Sequence, residues 1–399
     1  MRKNFKAGKA QLLAVAIAVA GVSQASLAAD FNMSGYLSAI GGIVDDAPPV
    51  PYAGYSEEDV TFDTDSLVGI QVVSNISDKL TATVQMVARG NNDWQVQADW
   101  AYLSFQATES VKIRAGRFRV PFYLYSDFVT VGYAYPWIRP PVENYSLPFD
   151  NVSGVDTIYT TNFGSVDLLL QAYFGTGEFE IQFGALRGSP GYTRNQIGFV
   201  GELSWSNFKF RLAHHQADVT VDASGLFVGP AAALNPYNPN SLLSQSFPDN
   251  ASRLLNEDDQ TVFQNIGMQW DNGKFIVVAE KNFLTADDQA LSADQERMYV
   301  MAGVRFGDVL VHYTWAERDD TAPNLSGGMP TSGAAAALTA GVNAVAASLV
   351  QKSEQNTLGV RWDFTTSTAF KIEYTQQEDN KPGIAHDVNL LRFGVQSVF

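Results

Sequence analysis

From Asp30 onward the chain repeats one pattern: a segment of alternating apolar and polar residues, a tight turn, a second alternating segment, then a longer polar or Gly/Pro-rich stretch. Leu80/Ala82/Val84/Met86 and Leu358/Val360/Trp362/Phe364 are two of the apolar stripes, and Leu391, Phe393, Val395 and the terminal Phe399 form the last. Tight turns are predicted near Asn75–Asp78, Thr108–Ser110, Asn162–Gly164, Ser206-Asn207, Asp271–Gly273, Gly307-Asp308 and Thr366–Thr368. Longer connections fall at 44–57, 91–95, 119–152, 176–192, 218–258, 285–295, 319–353 and 379–386. Seven turns and eight loops make fifteen connections and therefore sixteen strands, with every long loop on the same side. The expected fold is all-β, a transmembrane antiparallel β-barrel of about 16 strands.

The faces opposite the apolar stripes carry Glu202, Arg211, Arg305, Arg361, Asp363, Lys371, Glu373 and Arg392. Those charges need an aqueous interior, and a barrel of about 16 strands is wide enough to enclose one. A secreted sandwich or solenoid would also alternate. It would not combine outward stripes free of charge, a terminal Phe and the one-sided distribution of long loops.

Residues 1–29 have basic positions at Arg2, Lys3, Lys6 and Lys9, an uncharged run from Leu12 to Val22, and small residues at Ser26, Ala28 and Ala29. This predicts a cleaved secretory signal peptide, leaving 30–399 as one barrel domain. No later segment offers about 18 consecutive strongly apolar residues, so a helical membrane protein is excluded. The Ala-rich stretch Ala334–Val350 is broken by Thr339, Gly341, Asn343 and Ser348 and reads as surface loop with a short helix.

The chain has no cysteine, hence no disulfide framework and no thiolate metal site. Without its leader it holds 22 Lys and Arg against 42 Asp and Glu, a charge of −20, which argues against a nucleic-acid partner. Acid clusters such as Glu57-Glu58-Asp59 and Glu257-Asp258-Asp259 read as solvated loops. At an outer-membrane surface they could also bridge divalent cations between anionic lipids.

The third long connection, about 119–152, has a different composition. It carries five prolines (Pro121, Pro136, Pro140, Pro141, Pro148) and, from Pro121 to Trp137, seven Phe, Tyr or Trp residues. A loop so stiff and aromatic is expected to pack against something apolar. The strand feeding it contributes Lys112, Arg114, Arg117 and Arg119. With Val111, Ile113 and Ala115 facing lipid, Lys112 and Arg114 face the lumen.

Signal peptide, sixteen alternating strands, terminal Phe and a long third loop after a basic strand together resemble the general porins of Gram-negative outer membranes, over the whole mature chain. The segment Gly116–Phe122 is also similar to porins selective for phosphate-like anions. The dense lysine collar of those proteins has no counterpart here, so that specificity is not carried over. The resemblance implies passive diffusion of small hydrophilic solutes and ions, a homotrimer embedded among outer-membrane lipids and lipopolysaccharide, no cofactor, no metal and no catalysis. It further implies a third loop folded inward as a constriction. Mapped here, the constriction comprises Lys112, Arg114, Arg117, Arg119, Asp127, Arg139, Glu143 and Asp150, with Lys209, Arg211, Arg305, Arg361 and Arg392 on the wall. Some of these arginines are alternatively salt-bridge partners that brace the loop. Five basic against three acidic residues between Lys112 and Asp150 lean towards anions or organic acids.

Two other classes compete. A barrel enzyme would need a nucleophile or base on the wall; His214, His215, His312 and His386 lie in no catalytic motif and read as rim residues. A surface adhesin or phage receptor would work through loops 218–258 and 319–353, and could coexist with a pore.

Overall fold

A computed structural model describes residues 31–48, 51–181, 186–287, 290–379 and 387–399. The strands are β1 (Phe31–Val44), β2 (Leu67–Ser77), β3 (Leu80–Arg89), β4 (Val96–Gln106), β5 (Val111–Arg119), β6 (Asn151–Phe163), β7 (Val166–Glu180) and β8 (Pro190–Trp205). They continue with β9 (Phe208–Val221), β10 (Asp259–Asp271), β11 (Phe275–Ala286), β12 (Asp294–Phe306), β13 (Val309–Thr321), β14 (Lys352–Thr365), β15 (Thr368–Asp379) and β16 (Val388–Val398). Each pairs antiparallel with its chain neighbours, and β1 closes on β16 to complete the barrel. The carboxy-terminal Phe399 takes part in the closure: its N–H donates to the Gly35 carbonyl at 2.9 Å and its carbonyl accepts from Gly35 N–H at 2.7 Å. Closure leaves no sheet edge, as the bilayer demands.

All seven expected tight turns are present. The left-handed conformation of Gly164, Gly273 and Gly307 (φ +66°, +85° and +62°) explains glycine at three of them. Phe163, Trp205, Phe275, Phe306, Trp362, Phe364 and Phe399 flank these turns and are exposed, an aromatic girdle at one membrane interface. Two loop boundaries differ from expectation. The first connection runs on to residue 66, because Thr61 pairs with Gly42 and the chain then turns Asp65 inward to Arg139 and Arg392 before β2 begins. The fourth is shorter than 176–192, because β7 and β8 keep pairing to Glu180↔Pro190.

Over the mouth, connections 222–258 and 322–351 share a small core. It includes Phe227, Leu243 and Leu254 from one connection and Leu325, Val342 and Ala346 from the other. Val342 and Ala346 lie on the helix Ala336–Ser348, within the Ala-rich stretch. Asn250 locks the two together by donating to the Leu325 and Gly327 carbonyls at 2.9 and 3.1 Å.

Gly116 shapes the strand that feeds the third loop. Its φ is +137°, and a Cβ added there would sit 2.3 Å from the Ala101 carbonyl oxygen on β4. Gly116→Ala should therefore cost about 1–3 kcal/mol, read as a lower temperature at which the folded band disappears on SDS gels. An unchanged transition would refute the strain.

Candidate functional site: the lumen and its third loop

The third loop, residues 120–150, lies against one side of the inner wall and is bonded to it along its length. Lys371 on β15 is 1% exposed, and its ammonium donates to the carbonyls of Gly132, Tyr135 and Trp137 at 2.7, 2.7 and 2.5 Å. That uses all three donors of a lysine on backbone acceptors of one loop. Arg361 on β14 donates to the Tyr133 and Tyr135 carbonyls at 2.8 and 2.9 Å, with its guanidinium 4.8 Å from the Tyr133 ring centroid. Glu373 accepts from Ile138 N–H at 2.8 Å, and Trp137 Nε1 donates to Thr314 at 2.8 Å.

Glu280 on β11 accepts from Leu124 N–H (3.0 Å), Asn265 (2.8 Å), Tyr299 OH (2.7 Å) and Tyr145 OH. Apolar contact fills the space between these bonds. Leu124, Tyr125, Tyr135 and Trp137 pack on Ile276, Val278, Tyr299, Met301 and Leu310 of β11–β13. This explains the aromatic composition: the loop's apolar partner is a patch on the inner wall.

The basic residues divide accordingly. Arg211, Arg361 and Arg392 face inward but are held. Arg211 donates to the Pro121 carbonyl and lies 3.6 Å from Glu202, while Arg392 pairs with Glu373 (2.8 Å) and Asp65 (3.3 Å). Arg361 also pairs with Asp363 at 2.7 Å. Lys209 pairs with Glu202 at 2.9 Å and Arg305 with Asp271 at 2.6 Å; both stay partly exposed on the wall. In the loop, Arg139 reaches Asp65 at 3.1 Å, and Glu143 is 6% exposed and accepts from Ser353 at 2.7 Å. Asp150 lies 3.6 Å from Arg119, which is 2% exposed and sits 2.5 Å from Asp99.

The loop contacts β1 and β9–β16, and its returning limb stacks Phe149 on Phe179 of β7 at 5.0 Å, so its anchors leave out the wall from β2 to β6. There Arg114 binds Asp156 (Nε to Oδ1 3.0 Å, Nη2 to Oδ2 2.5 Å) beneath the Tyr102 and Phe118 rings. Lys112 is exposed below it on the same face, and the exposed Asp127 of the loop contributes to the field at Arg114.

Arg117 is a correction. Phe118 is inward with Arg114, so alternation puts Arg117 on the outer face with Ile113 and Ala115, where it donates to the Ala98 carbonyl at 3.1 Å. The histidine reading also changes. His215 and His312 are each 2% exposed inside the barrel, His215 bonded to Tyr173 at 2.9 Å and His312 beside Trp137. Both sit at alternating inward positions, which a reading of rim residues overlooked; His386 lies outside the described residues.

Sequence reasoning missed the acidic half of the site: Asp65, Asp99, Asp156 and Glu280. Asp156 could have been found, since it stands opposite Arg114 in the β5–β6 register. Asp99 could not, because a bulge between Gln85 and Met86 shifts its pairing. Among the described residues no cluster of His, Asp and Glu is arranged to hold a metal ion.

A closed barrel with an apolar outer surface, a charged interior and a lumen-bound loop defines an outer-membrane diffusion channel. Residues 12–396 match the model of the Gram-negative porin family, and the chain belongs to that family. It resides in the outer membrane and forms a passive channel. Among solved structures it is similar to an anion-selective porin from Comamonas acidovorans (12% identity, 93% of this chain and 100% of that one, TM-score 0.56). It is also similar to the outer-membrane channel DcaP of Acinetobacter baumannii (10%, 94% and 99%, 0.57). A third likeness is to the trimer form of OmpT, an outer membrane protein of Vibrio cholerae (11%, 94% and 100%, 0.52). No curated protein sequence matches.

Proposed function

We propose that this porin passes small hydrophilic solutes and ions through a gap between the third loop and the β2–β6 wall, with Arg114, Lys112 and Asp127 setting charge preference. The observation that supports this reading is the one-sided anchoring of the loop, with the exposed Asp127 contributing to the field at Arg114. Arg114, like most lumenal arginines, already has a carboxylate, so selectivity is weak and responds to changes at these few groups. The protein works as a homotrimer without catalysis or cofactor, and residues 1–29 are its export signal. The trimeric form of the similar Vibrio cholerae protein supports the assembly, and the family supports a channel over an enzyme.

The test is planar-bilayer conductance with a KCl gradient. Stepwise openings are expected, with Asp127→Ala moving the reversal potential towards anions and Arg117→Ala leaving it unchanged. Folded protein without steps would refute the channel; a shift from Arg117→Ala equal to that from Asp127→Ala would refute the placement of the passage.

A further inference from the structure

A cavity of about 230 Å³ lies inside the barrel between the returning limb of the third loop and the roof of long connections. Its wall is mostly apolar, with Phe122, Phe149, Phe179, Phe263, Leu284 and Leu291 among the residues that line it. Arg297 and Arg318 also line it. Arg318 is neutralised by Asp320 at 2.7 Å. Arg297 is different: it is 5% exposed, its guanidinium donates only to the neutral Ser146 and Gln295, and its Nε has no partner. No carboxylate among the described residues lies within ion-pairing distance of it.

Asp320 and Glu143 contribute to the field at Arg297, but Asp320 is ion-paired with Arg318, and burial pushes the Glu143 carboxyl above the usual carboxylate range. A buried cation beside a second arginine, with no carboxylate in contact with it, is costly unless something else supplies the charge.

We propose that this cavity binds a small carboxylate with a single-ring apolar body, its carboxylate on Arg297 and its ring among the phenylalanines. The volume falls below the ~300–1,000 Å³ typical of sites for larger ligands, which limits the body to about one ring. An arginine fork matches a carboxylate in shape as well as charge. Such a site would hold aromatic acids at the mouth before release past the third loop, and so deepens the channel reading on which it rests.

Calorimetric titration of folded, detergent-solubilised protein with benzoate, acetate and benzamide tests it. Benzoate should bind at least about tenfold more tightly than either, since acetate lacks the ring and benzamide the charge. Arg297→Gln should weaken benzoate about tenfold, and Arg297→Lys, which keeps the charge, should weaken it less. If Arg297→Gln fails to fold, Leu284→Asp decides: a carboxylate placed in the apolar wall should abolish benzoate binding. Benzoate no tighter than acetate, or undiminished in either folded variant, overturns the site. Calorimetry needs no current, so loss of the site and absence of conductance steps are separate results.

Discussion

Replacing Glu280 by alanine should release the third loop and cost the protein at least about 3 kcal/mol of stability. One carboxylate, 1% exposed, accepts from four donors: Leu124 N–H and Tyr145 OH in the loop, and Asn265 and Tyr299 OH on the wall. Its removal leaves those donors buried, at about 1–3 kcal/mol for each that water cannot reach. The hydrogen bonds of β11 to β10 and β12 are backbone pairs and remain, so the barrel should persist while the loop loosens. Two readings follow, a lower denaturation midpoint in detergent and added noise on the open-channel current. Glu280→Gln keeps an acceptor oxygen and should show a smaller form of both. A quiet, equally stable Glu280→Ala would mean that the apolar contacts with Tyr299, Met301 and Leu310 hold the loop by themselves.

Arg114→Ala should make the channel more cation-preferring, with about a threefold change in the cation-to-anion permeability ratio at low salt. The substitution removes the only cation that, among the described residues, pairs with Asp156, which stays held by Gln171 at 2.7 Å, so the carboxylate loses its counter-charge beside the passage. Because screening in a water-filled lumen is strong, the effect should shrink as KCl is raised. Arg114→Lys should retain most of the native preference. A reversal potential unmoved at low salt in folded Arg114→Ala would remove Arg114 from the passage.

Strand count, turn positions and the inward faces were legible in the sequence because alternation of period two and turn chemistry are local properties. Gly273 or the Leu358–Phe364 stripe needs no distant partner to be interpreted. The third loop's aromatic content was equally visible, but not what it meets: Lys371 bonds Gly132 across 239 residues and Glu280 bonds Leu124 across 156. Such contacts exist only once the barrel is closed. Counting charge between Lys112 and Asp150 misjudged the site for a related reason. It included Arg117, which points out, and omitted Asp65, Asp99 and Asp156, which neutralise Arg139, Arg119 and Arg114 from the first connection, β4 and β6.

The roof over the mouth bears on how this protein is seen from outside the cell. Phe227, Leu243 and Leu254 interlock with Leu325, Val342 and Ala346, so what faces outward is composed of two connections whose cores lie about a hundred residues apart in the chain. An antibody or phage fibre that grips this surface reads a discontinuous epitope, and a peptide copied from either connection carries only half of it. Serum raised against linear peptides should bind the denatured chain and pass over intact cells.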